Sequence, residues 1–204
     1  MLNKSIKYYN IIMKYDGQKR WGGKLPEKYY FDSYRKGDEF IWARMEKENN
    51  DFDSYENAVT YFQNKYLTNL PKLRERFIGI RRKDNNILVG CVICWDDIKS
   101  HDSKEKISTV HWLITDVREQ GKGLGKALVD ELIGKFSSLD LLPIYLHTQP
   151  WSFVAIGIYC NAGFKLCVKE SFRNYENQSR VSLNVLKKLM KPNLYDKLIN
   201  NILD

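Results

Sequence analysis

The sequence predicts a mixed α/β fold, built as a single domain with helices on both faces of a mixed central sheet. Strand-like runs and helix-like segments alternate through the second half of the 204 residues, and antiparallel hairpins flank that alternation. No repeat, Pro-rich tract or Gly/Ser linker suggests a domain boundary. Aliphatic and aromatic residues form 43% of the chain, enough to bury one core.

The first third is expected to contain one strand and two helices. The aromatic-rich segment Tyr29–Tyr34 predicts the strand, and the spacing of apolar residues over Glu39–Lys47 predicts the first helix. Asp53 and Glu56 resemble a capping box, so a second helix is expected to begin there and to end before Pro71.

A hairpin and a strand–helix pair follow. Two strand-like runs, Arg76–Arg81 and Ile87–Trp95, flank the turn residues Asp84–Asn86. Ile107–Val117 is rich in β-branched residues and predicts another strand. Helical spacing then predicts a helix over Gly125–Phe136.

The last elements are predicted from shorter patterns. Ile144–Thr148 predicts a strand and Ser152–Asn161 a short helix. Phe164–Phe172 and Arg180–Val185 predict a closing pair of strands, and the tail from Pro192 predicts an amphipathic helix.

Charge and hydropathy argue against two classes of partner. The net charge is +8, but Lys and Arg are mixed with Asp and Glu along the chain, and no nucleic-acid module is present. We therefore expect no nucleic-acid partner, only a surface biased toward anionic ligands. No apolar run approaches the roughly 18 residues needed to cross a bilayer, and the N-terminus has no secretory signal. We expect a cytoplasmic protein with no membrane partner.

The pair Cys91 and Cys94 has the CxxC spacing of redox and metal sites. The two residues lie within a predicted strand, where positions three apart point to opposite faces. We therefore expect buried structural thiols and no metal site.

The segment from His111 to Leu128 carries the chemical signal. It predicts a strand, a turn with Gly121, Gly123 and Gly125, and then a helix. Glycines let backbone N–H groups approach an anion closely, and the helix directs its N-terminal dipole to the same place. This arrangement suits a pyrophosphate.

Two common phosphate motifs do not fit this turn. The P-loop string is absent, and the dinucleotide pattern requires a glycine where Lys126 stands. The segment does match Q/R-x-x-G-x-G/A over Gln120–Gly125. The alternative is a plain tight turn, which is disfavoured because Gly costs about 0.5–1 kcal/mol relative to Ala within a helix.

A second motif strengthens the first. A predicted helix ends in Tyr159-Cys-Asn-Ala-Gly163-Phe164, shortly after the strand Ile144–Thr148. Together the two motifs resemble those of the GNAT superfamily of N-acyltransferases. The resemblance implies an acyl-CoA N-acyltransferase fold, whose sheet splays between the two parallel strands that end near Thr115 and Thr148. It also implies acetyl-CoA as the cosubstrate, with no metal.

Carried over residue by residue, the resemblance assigns the cofactor contacts. The glycine-rich turn would bind the pyrophosphate, and the backbone of the preceding strand would pair with the pantetheine arm. The family commonly has Asn where this chain has Ser152, so a side-chain contact to CoA is altered there. The residues implied are Leu113, Ile114, Thr115, Gln120, Gly121, Lys122, Gly123, Leu124, Gly125, Lys126 and Ser152.

The resemblance also suggests an acid and a base. Tyr159 occupies the position of a Tyr that commonly protonates the CoA thiolate. His111 lies on the strand before the turn, two residues before Leu113 and on the same expected face, where an imidazole can accept an amine proton directly or through water. His147 is a weaker candidate. Asp96 and Asp97 end a predicted strand near the expected acceptor side, and the start of a solvated loop is favoured over a catalytic role for both.

The resemblance implies a division of the single domain 1–204. Residues 1–75 would form the acceptor side, 76–172 the CoA-binding core, and 173–204 a closing strand and C-terminal helix. Within the first part, aromatic residues such as Trp42 and Tyr61 are expected mainly in the core.

We expect an N-acetyltransferase that acts on a primary amine of a small molecule or peptide, with a homodimer as a possible assembly. The alternative is a catalytically silent acetyl-CoA-binding sensor or partner module.

Overall fold

The computed structural model describes residues 2–17, 24–100 and 102–203. Its strands are β1 (Ile11–Tyr15), β2 (Tyr29–Asp32), β3 (Phe77–Arg82), β4 (Leu88–Ile98), β5 (Lys106–Thr115), β6 (Ile144–Thr148), β7 (Lys165–Cys167) and β8 (Ile202–Leu203). Its α-helices are α1 (Asp38–Glu48), α2 (Tyr55–Tyr66), α3 (Leu70–Arg76), α4 (Leu124–Ser138), α5 (Phe153–Ala162), α6 (Ser179–Leu189) and α7 (Pro192–Ile199).

The strands form one mixed sheet in the order β2-β3-β4-β5-β6-β1-β7-β8. Parallel pairing joins β5 to β6 and β7 to β8, while β1, β2 and β3 make antiparallel pairs. The predicted mixed α/β class is therefore confirmed, as are the hairpin β3–β4 and the strand–turn–helix order of β5 and α4. Two compact units divide the chain.

The first unit takes its described residues from Met1–Asn3, Gly22–Cys94 and Trp112–Leu132. A buried Arg81 ties its strands to its first helix. The Arg81 side chain donates from Nε to Asp32 on β2 and from one Nη to Asp38 at the start of α1, each over 2.6 Å. One buried guanidinium thus pairs with both carboxylates, so neither lacks an oppositely charged partner.

The second unit takes its described residues from Lys4–Trp21, Trp95–His111 and Ile133–Asp204. Strand β1, which the sequence analysis did not predict, lies between β6 and β7 and is antiparallel to both. Its apolar residues Ile11, Ile12 and Met13 are fully buried. The parallel ladder of β5 and β6 joins Ser108 to Ile144 and Thr109 to Tyr145. The expected parallel pair of strands is thus present.

The closing strand predicted over Arg180–Val185 is wrong, because this segment lies within helix α6. Val181, Leu183 and Val185 alternate with polar residues, as in a strand, but Val181 is exposed. Two serines mark the inner face instead. Ser179 accepts a hydrogen bond from the Ile12 N–H over 3.0 Å, and the Ser182 hydroxyl donates to the Ser179 carbonyl over 2.7 Å. The alternation over Arg180–Val185 favoured a strand because the helical spacing of Leu183, Leu186 and Met190 extends beyond that short segment.

Two smaller boundaries also differ from the sequence analysis. Helix α2 is capped by Ser54, whose hydroxyl accepts from the Asn57 N–H over 3.1 Å, one residue after the predicted cap. Pro71 lies in the first turn of α3 and does not end the helical region there, because a proline needs no N–H partner at a helix start.

The four cysteines are free and buried. Cys91 and Cys94 both lie in β4, as predicted. Burial raises the pKa of the Cys160 and Cys167 thiols to about 12 and that of Cys91 well above its usual value. These three thiols are therefore neutral, and the burial of all four is that of structural cysteines.

Candidate functional site

The turn between β5 and α4 begins at Asp116, a buried carboxylate. Its Oδ1 accepts from the Arg118 N–H over 3.0 Å, and Oδ2 accepts from Arg44 of α1, also over 3.0 Å. The Asp116 N–H donates to the Val89 carbonyl on β4 over 2.8 Å. The hydrogen bonds from Arg118 and Arg44 hold the pKa of Asp116 well below its usual range, although burial opposes them.

Glu119 fixes the middle of the same turn. This buried carboxylate accepts hydrogen bonds from the Tyr29 hydroxyl over 2.6 Å, from Lys122 Nζ over 2.5 Å and from Arg82 over 3.4 Å. Burial raises its pKa, but the hydrogen bonds from Lys122 and Tyr29 outweigh that effect and the pKa is lowered. Lys122, predicted to contact pyrophosphate, therefore contacts an anion of its own chain here.

Gly121 and Gly123 have left-handed backbones, with φ of 78° and 84°. A Cβ built on either residue meets no other atom within 4 Å, so open space rather than crowding surrounds them. Helix α4 begins at Leu124, and the Gly123 carbonyl accepts from the Ala127 N–H over 3.1 Å. The first N–H groups of a helix lack partners within it, so this end of α4 can receive an anion.

The predicted turn residues differ in exposure. Gln120, Gly121, Lys122 and Lys126 are exposed, whereas the Leu124 side chain is buried and can offer only its backbone to a ligand. On β5, Ile114 is buried, and Leu113 and Thr115 are half-buried.

Trp112 of β5 has φ of 52°, which is rare for a non-glycine residue and costs backbone strain. Its ring contacts Trp42, Phe52 and Tyr61 at centroid distances of 5.4–5.5 Å. His111 and Leu113 were expected on the same face because side chains alternate along a regular strand. The left-handed Trp112 between them interrupts this alternation. No pattern in the sequence indicated this conformation.

A cavity of about 530 Å³ lies against the outer face of α2. Its walls are Phe52, Asn57, Thr60, Tyr61, Asn64 and Lys65. Trp42 is fully buried and belongs to the core, as the sequence analysis favoured. Tyr61 is half-buried and reaches the cavity.

His111 lies at the end of a short polar chain in the second unit. His111 Nε2 is 2.8 Å from Asp97 Oδ2, and the Thr109 hydroxyl is 3.2 Å from both. Arg173 is 3.7 Å from the same Asp97 oxygen. The sequence analysis placed Asp97 at the start of a solvated loop, but β4 continues through Ile98 and buries it. The apolar run that precedes Asp97 gave no signal that the strand continued.

Tyr159 is held in place by the helix end that follows it. Gly163 terminates α5 with φ of 105°, and the Phe164 N–H donates to the Tyr159 carbonyl over 3.0 Å. The Phe164 ring lies 5.5 Å from the Tyr159 ring. Only 6% of Tyr159 is exposed, and burial raises its pKa, so the phenol is protonated. Ser152 is half-buried and precedes α5, and its hydroxyl does not cap the helix.

The structure thus groups the predicted residues in two sets. Leu113 to Lys126 form one continuous segment in the first unit, whereas His111, Ser152 and Tyr159 belong to the second. Within residues 2–17, 24–100 and 102–203, no group of three or more His, Cys, Asp or Glu side chains could hold a metal ion. None of the described helices has the length and apolar character needed to span a bilayer.

His147 on β6 is a neutral side chain. Its Nε2 is 2.8 Å from Asn10 Oδ1, and its ring stacks on Tyr175 with centroids 4.0 Å apart. Burial, reinforced by the positive Arg173, lowers the pKa of His147 to about 4. At neutral pH its ring contributes packing and a hydrogen bond but no charge.

This pKa predicts an acid-dependent loss of stability. The folded pKa of His147 lies below the usual value near 6.5, so between these two values the unfolded chain binds a proton more readily than the folded one. The neutral ring therefore makes its full contribution to the unfolding free energy above pH 6.5, and this contribution is lost as the pH falls toward 4. Between pH 7 and 4.5 we expect His147→Gln to lose about 2 kcal/mol less unfolding free energy than the wild type, measured by urea denaturation. Parallel pH profiles of the two proteins would contradict the assignment.

Comparison with known proteins identifies the chain's relatives. The acetyltransferase (GNAT) family profile matches residues 39–164, which include both motifs. N-alpha-acetyltransferase 30 of Saccharomyces cerevisiae is 27% identical over 128 residues, which cover 63% of this chain and 71% of that protein.

Solved structures share the fold. The GCN5-related N-acetyltransferase from Sphaerobacter thermophilus superposes with a TM-score of 0.57 at 16% identity, covering 80% of this chain and 51% of that one. A spermidine N-acetyltransferase chimera from Vibrio cholerae and hSSAT gives a TM-score of 0.50 at 22% identity, covering 74% and 91%. The chain therefore spans about half the length of the Sphaerobacter protein. On the family match and the shared fold, the chain belongs to the acetyltransferase (GNAT) family.

Proposed function

We propose that this protein is an N-acetyltransferase that moves the acetyl group of acetyl-CoA to a primary amine of a small molecule or peptide. The observation that carries the proposal is the turn at Gly121 and Gly123. Two left-handed glycines there leave open space beside the first turn of α4. Unpaired N–H groups and the helix dipole favour an anion at such a place, and the pyrophosphate of CoA is one.

Cosubstrate binding would use the rest of the same segment. The backbone of Leu113, Ile114 and Thr115 would pair with the amides of the pantetheine arm, as an added strand would. Lys122 would turn from Glu119 to a phosphate. Glu119 would keep its hydrogen bond from Tyr29, so the turn would not lose its support.

The chemistry requires a neutral amine and a protonated leaving group. An acceptor that arrives as an ammonium ion would lose one proton to His111, or to a water beside it, and from there to solvent. The amine nitrogen would then attack the thioester carbonyl, and the C–S bond would break. Tyr159 would donate its proton to the CoA sulfur and recover one from the nitrogen of the new amide. The products are the acetylated amine and free CoA.

The names of the relatives suggest which acceptors to test first. An N-alpha-acetyltransferase acts on the amino termini of polypeptides, and a spermidine N-acetyltransferase acts on a polyamine. Both substrates present a primary amine, which is the group that the proposed chemistry needs.

Two measurements test the proposal directly. Thermal unfolding with acetyl-CoA at 100 times its dissociation constant should show a higher midpoint, since such a ligand adds about 2.7 kcal/mol of stability. A thiol-release assay over peptide amino termini, polyamines and amino acids should then detect free CoA. No thermal shift would contradict the proposal. A shift without thiol release from any acceptor would favour a silent sensor or partner module.

Replacing Gly123 by Ala should weaken acetyl-CoA binding at least tenfold in titration calorimetry. The added methyl group meets no protein atom, so a loss of affinity would arise from the ligand and from backbone strain. Gly37→Ala is the matched control. Gly37 also has a positive φ, of 102°, with open space around it, but it lies at the start of α1. Gly37→Ala should lose as much unfolding free energy as Gly123→Ala but keep its affinity for acetyl-CoA. Equal acetyl-CoA affinities of the two variants would show that the turn at Gly123 is not the binding site.

Replacing Tyr159 by Phe should lower kcat about 100-fold, the size of effect typical of a lost proton donor, while the dissociation constant of acetyl-CoA stays within about threefold. Tyr15→Phe is the matched control, because Tyr15 is also buried and its ring also lies against Phe164, at 5.4 Å. Unchanged turnover in the Tyr159 variant would remove this residue from the mechanism.

A further inference from the structure

A buried carboxylate lies beside the imidazole that the proposed function uses as a base. Asp97 and His111 are each 8% exposed, and Asp97 Oδ2 lies 2.8 Å from His111 Nε2. The Thr109 hydroxyl lies 3.2 Å from both atoms. Asp97 is on β4, and the other two residues are on β5.

We infer that Asp97 is a positioning residue, which holds His111 with its proton on Nε2 so that Nδ1 is the nitrogen that accepts the amine proton. This inference rests on the proposed function. A carboxylate can only accept hydrogen bonds, so a nitrogen 2.8 Å from Asp97 Oδ2 must carry hydrogen. In a neutral imidazole only one nitrogen carries hydrogen, and the other has a free electron pair. Asp97 therefore selects the basic nitrogen.

Arg173 places a positive charge beside the Asp97 carboxylate. Its guanidinium is 3.7 Å from Asp97 Oδ2, and its backbone N–H donates to the Lys99 carbonyl over 3.0 Å. Its φ is 52°, so the chain adopts a strained conformation at this position. A buried carboxylate with a cation and two hydrogen-bonding partners remains charged at a lower cost than an isolated one.

The proton balance follows from these charges. When His111 Nδ1 takes a proton from the ammonium ion of the acceptor, the ring becomes an imidazolium with hydrogen on both nitrogens. The negative Asp97 stabilises this cation through the same Nε2–H bond, and the proton stays on the imidazole because Arg173 disfavours protonation of the carboxylate. The imidazolium then releases the Nδ1 proton to water, and the neutral ring is restored.

The kinetic test compares Asp97→Asn with Asp96→Asn. Asp96 is the adjacent acid on β4 and is paired with Lys106 over 3.9 Å. With a peptide or polyamine that the enzyme acetylates, we expect Asp97→Asn to lower kcat 10- to 100-fold while the KM of the acceptor and the dissociation constant of acetyl-CoA stay within threefold. Asp96→Asn should leave all three unchanged. Equal turnover in both variants would overturn the inference.

A double variant separates positioning from a structural role. If Asp97 acts through His111, the variant Asp97→Asn/His111→Gln should turn over no more slowly than His111→Gln alone. An additional tenfold loss would show that Asp97 acts independently and would overturn the inference. If His111→Gln alone keeps full kcat, the inference fails because no imidazole base exists, yet acetyl transfer through a water base survives.

The tautomer can be measured without turnover. The chain has three histidines, so nitrogen-15 NMR of the labelled wild type can be assigned with single His→Gln variants. We expect the neutral His111 ring to carry hydrogen on Nε2, and Asp97→Asn to give a mixture of both tautomers. Hydrogen on Nδ1 in the wild type, or an unchanged spectrum in Asp97→Asn, would overturn the inference.

Discussion

Two buried carboxylates organise the turn on which the proposed cosubstrate site depends. Asp116 joins the turn to α1 through Arg44 and to β4 through its own N–H, and Glu119 joins it to β2 through Tyr29. These bonds fix the backbone before any ligand arrives, so the left-handed glycines need not be ordered by binding. A preformed binding site lowers the entropy cost of binding a flexible, highly charged molecule such as CoA. Charged side chains thus stabilise the turn that is proposed to bind a charged ligand.

The second unit also contains buried polar and charged side chains. Buried polar groups need partners, and those of Asp97 include a hydroxyl, an imidazole and a guanidinium. His147, by contrast, is neutral and stacked on Tyr175. Burial, reinforced by Arg173, lowers the pKa of His147, whereas a carboxylate lies directly beside His111. Surroundings, rather than residue type, thus distinguish the candidate base from a packing residue.

The sequence was most informative where physical requirements are local. Left-handed glycines, a helix start and a helix-terminating Gly163 each demand particular residues within a few positions, so both motifs could be found without a structure. It was least informative where the partners are distant. Asp97 meets His111 only because β4 extends to Ile98, and β1 lies between two strands that follow it by more than 120 residues in the chain. Helix α6 escaped prediction because apolar and polar residues alternate over Arg180–Val185 as in a strand. No periodicity shows that Trp112 is left-handed.

The buried cysteines have a practical consequence for the chemistry of sulfur in this protein. Neutral, inaccessible thiols react slowly with disulfide reagents and maleimides, since the thiolate is the reactive species. The folded protein should therefore contribute little background colour when a disulfide dye is used to detect liberated coenzyme in the proposed assay. A cysteine introduced on an exposed face would likewise be the fast-reacting one, so a fluorophore could be attached at a single chosen position without first removing the native residues.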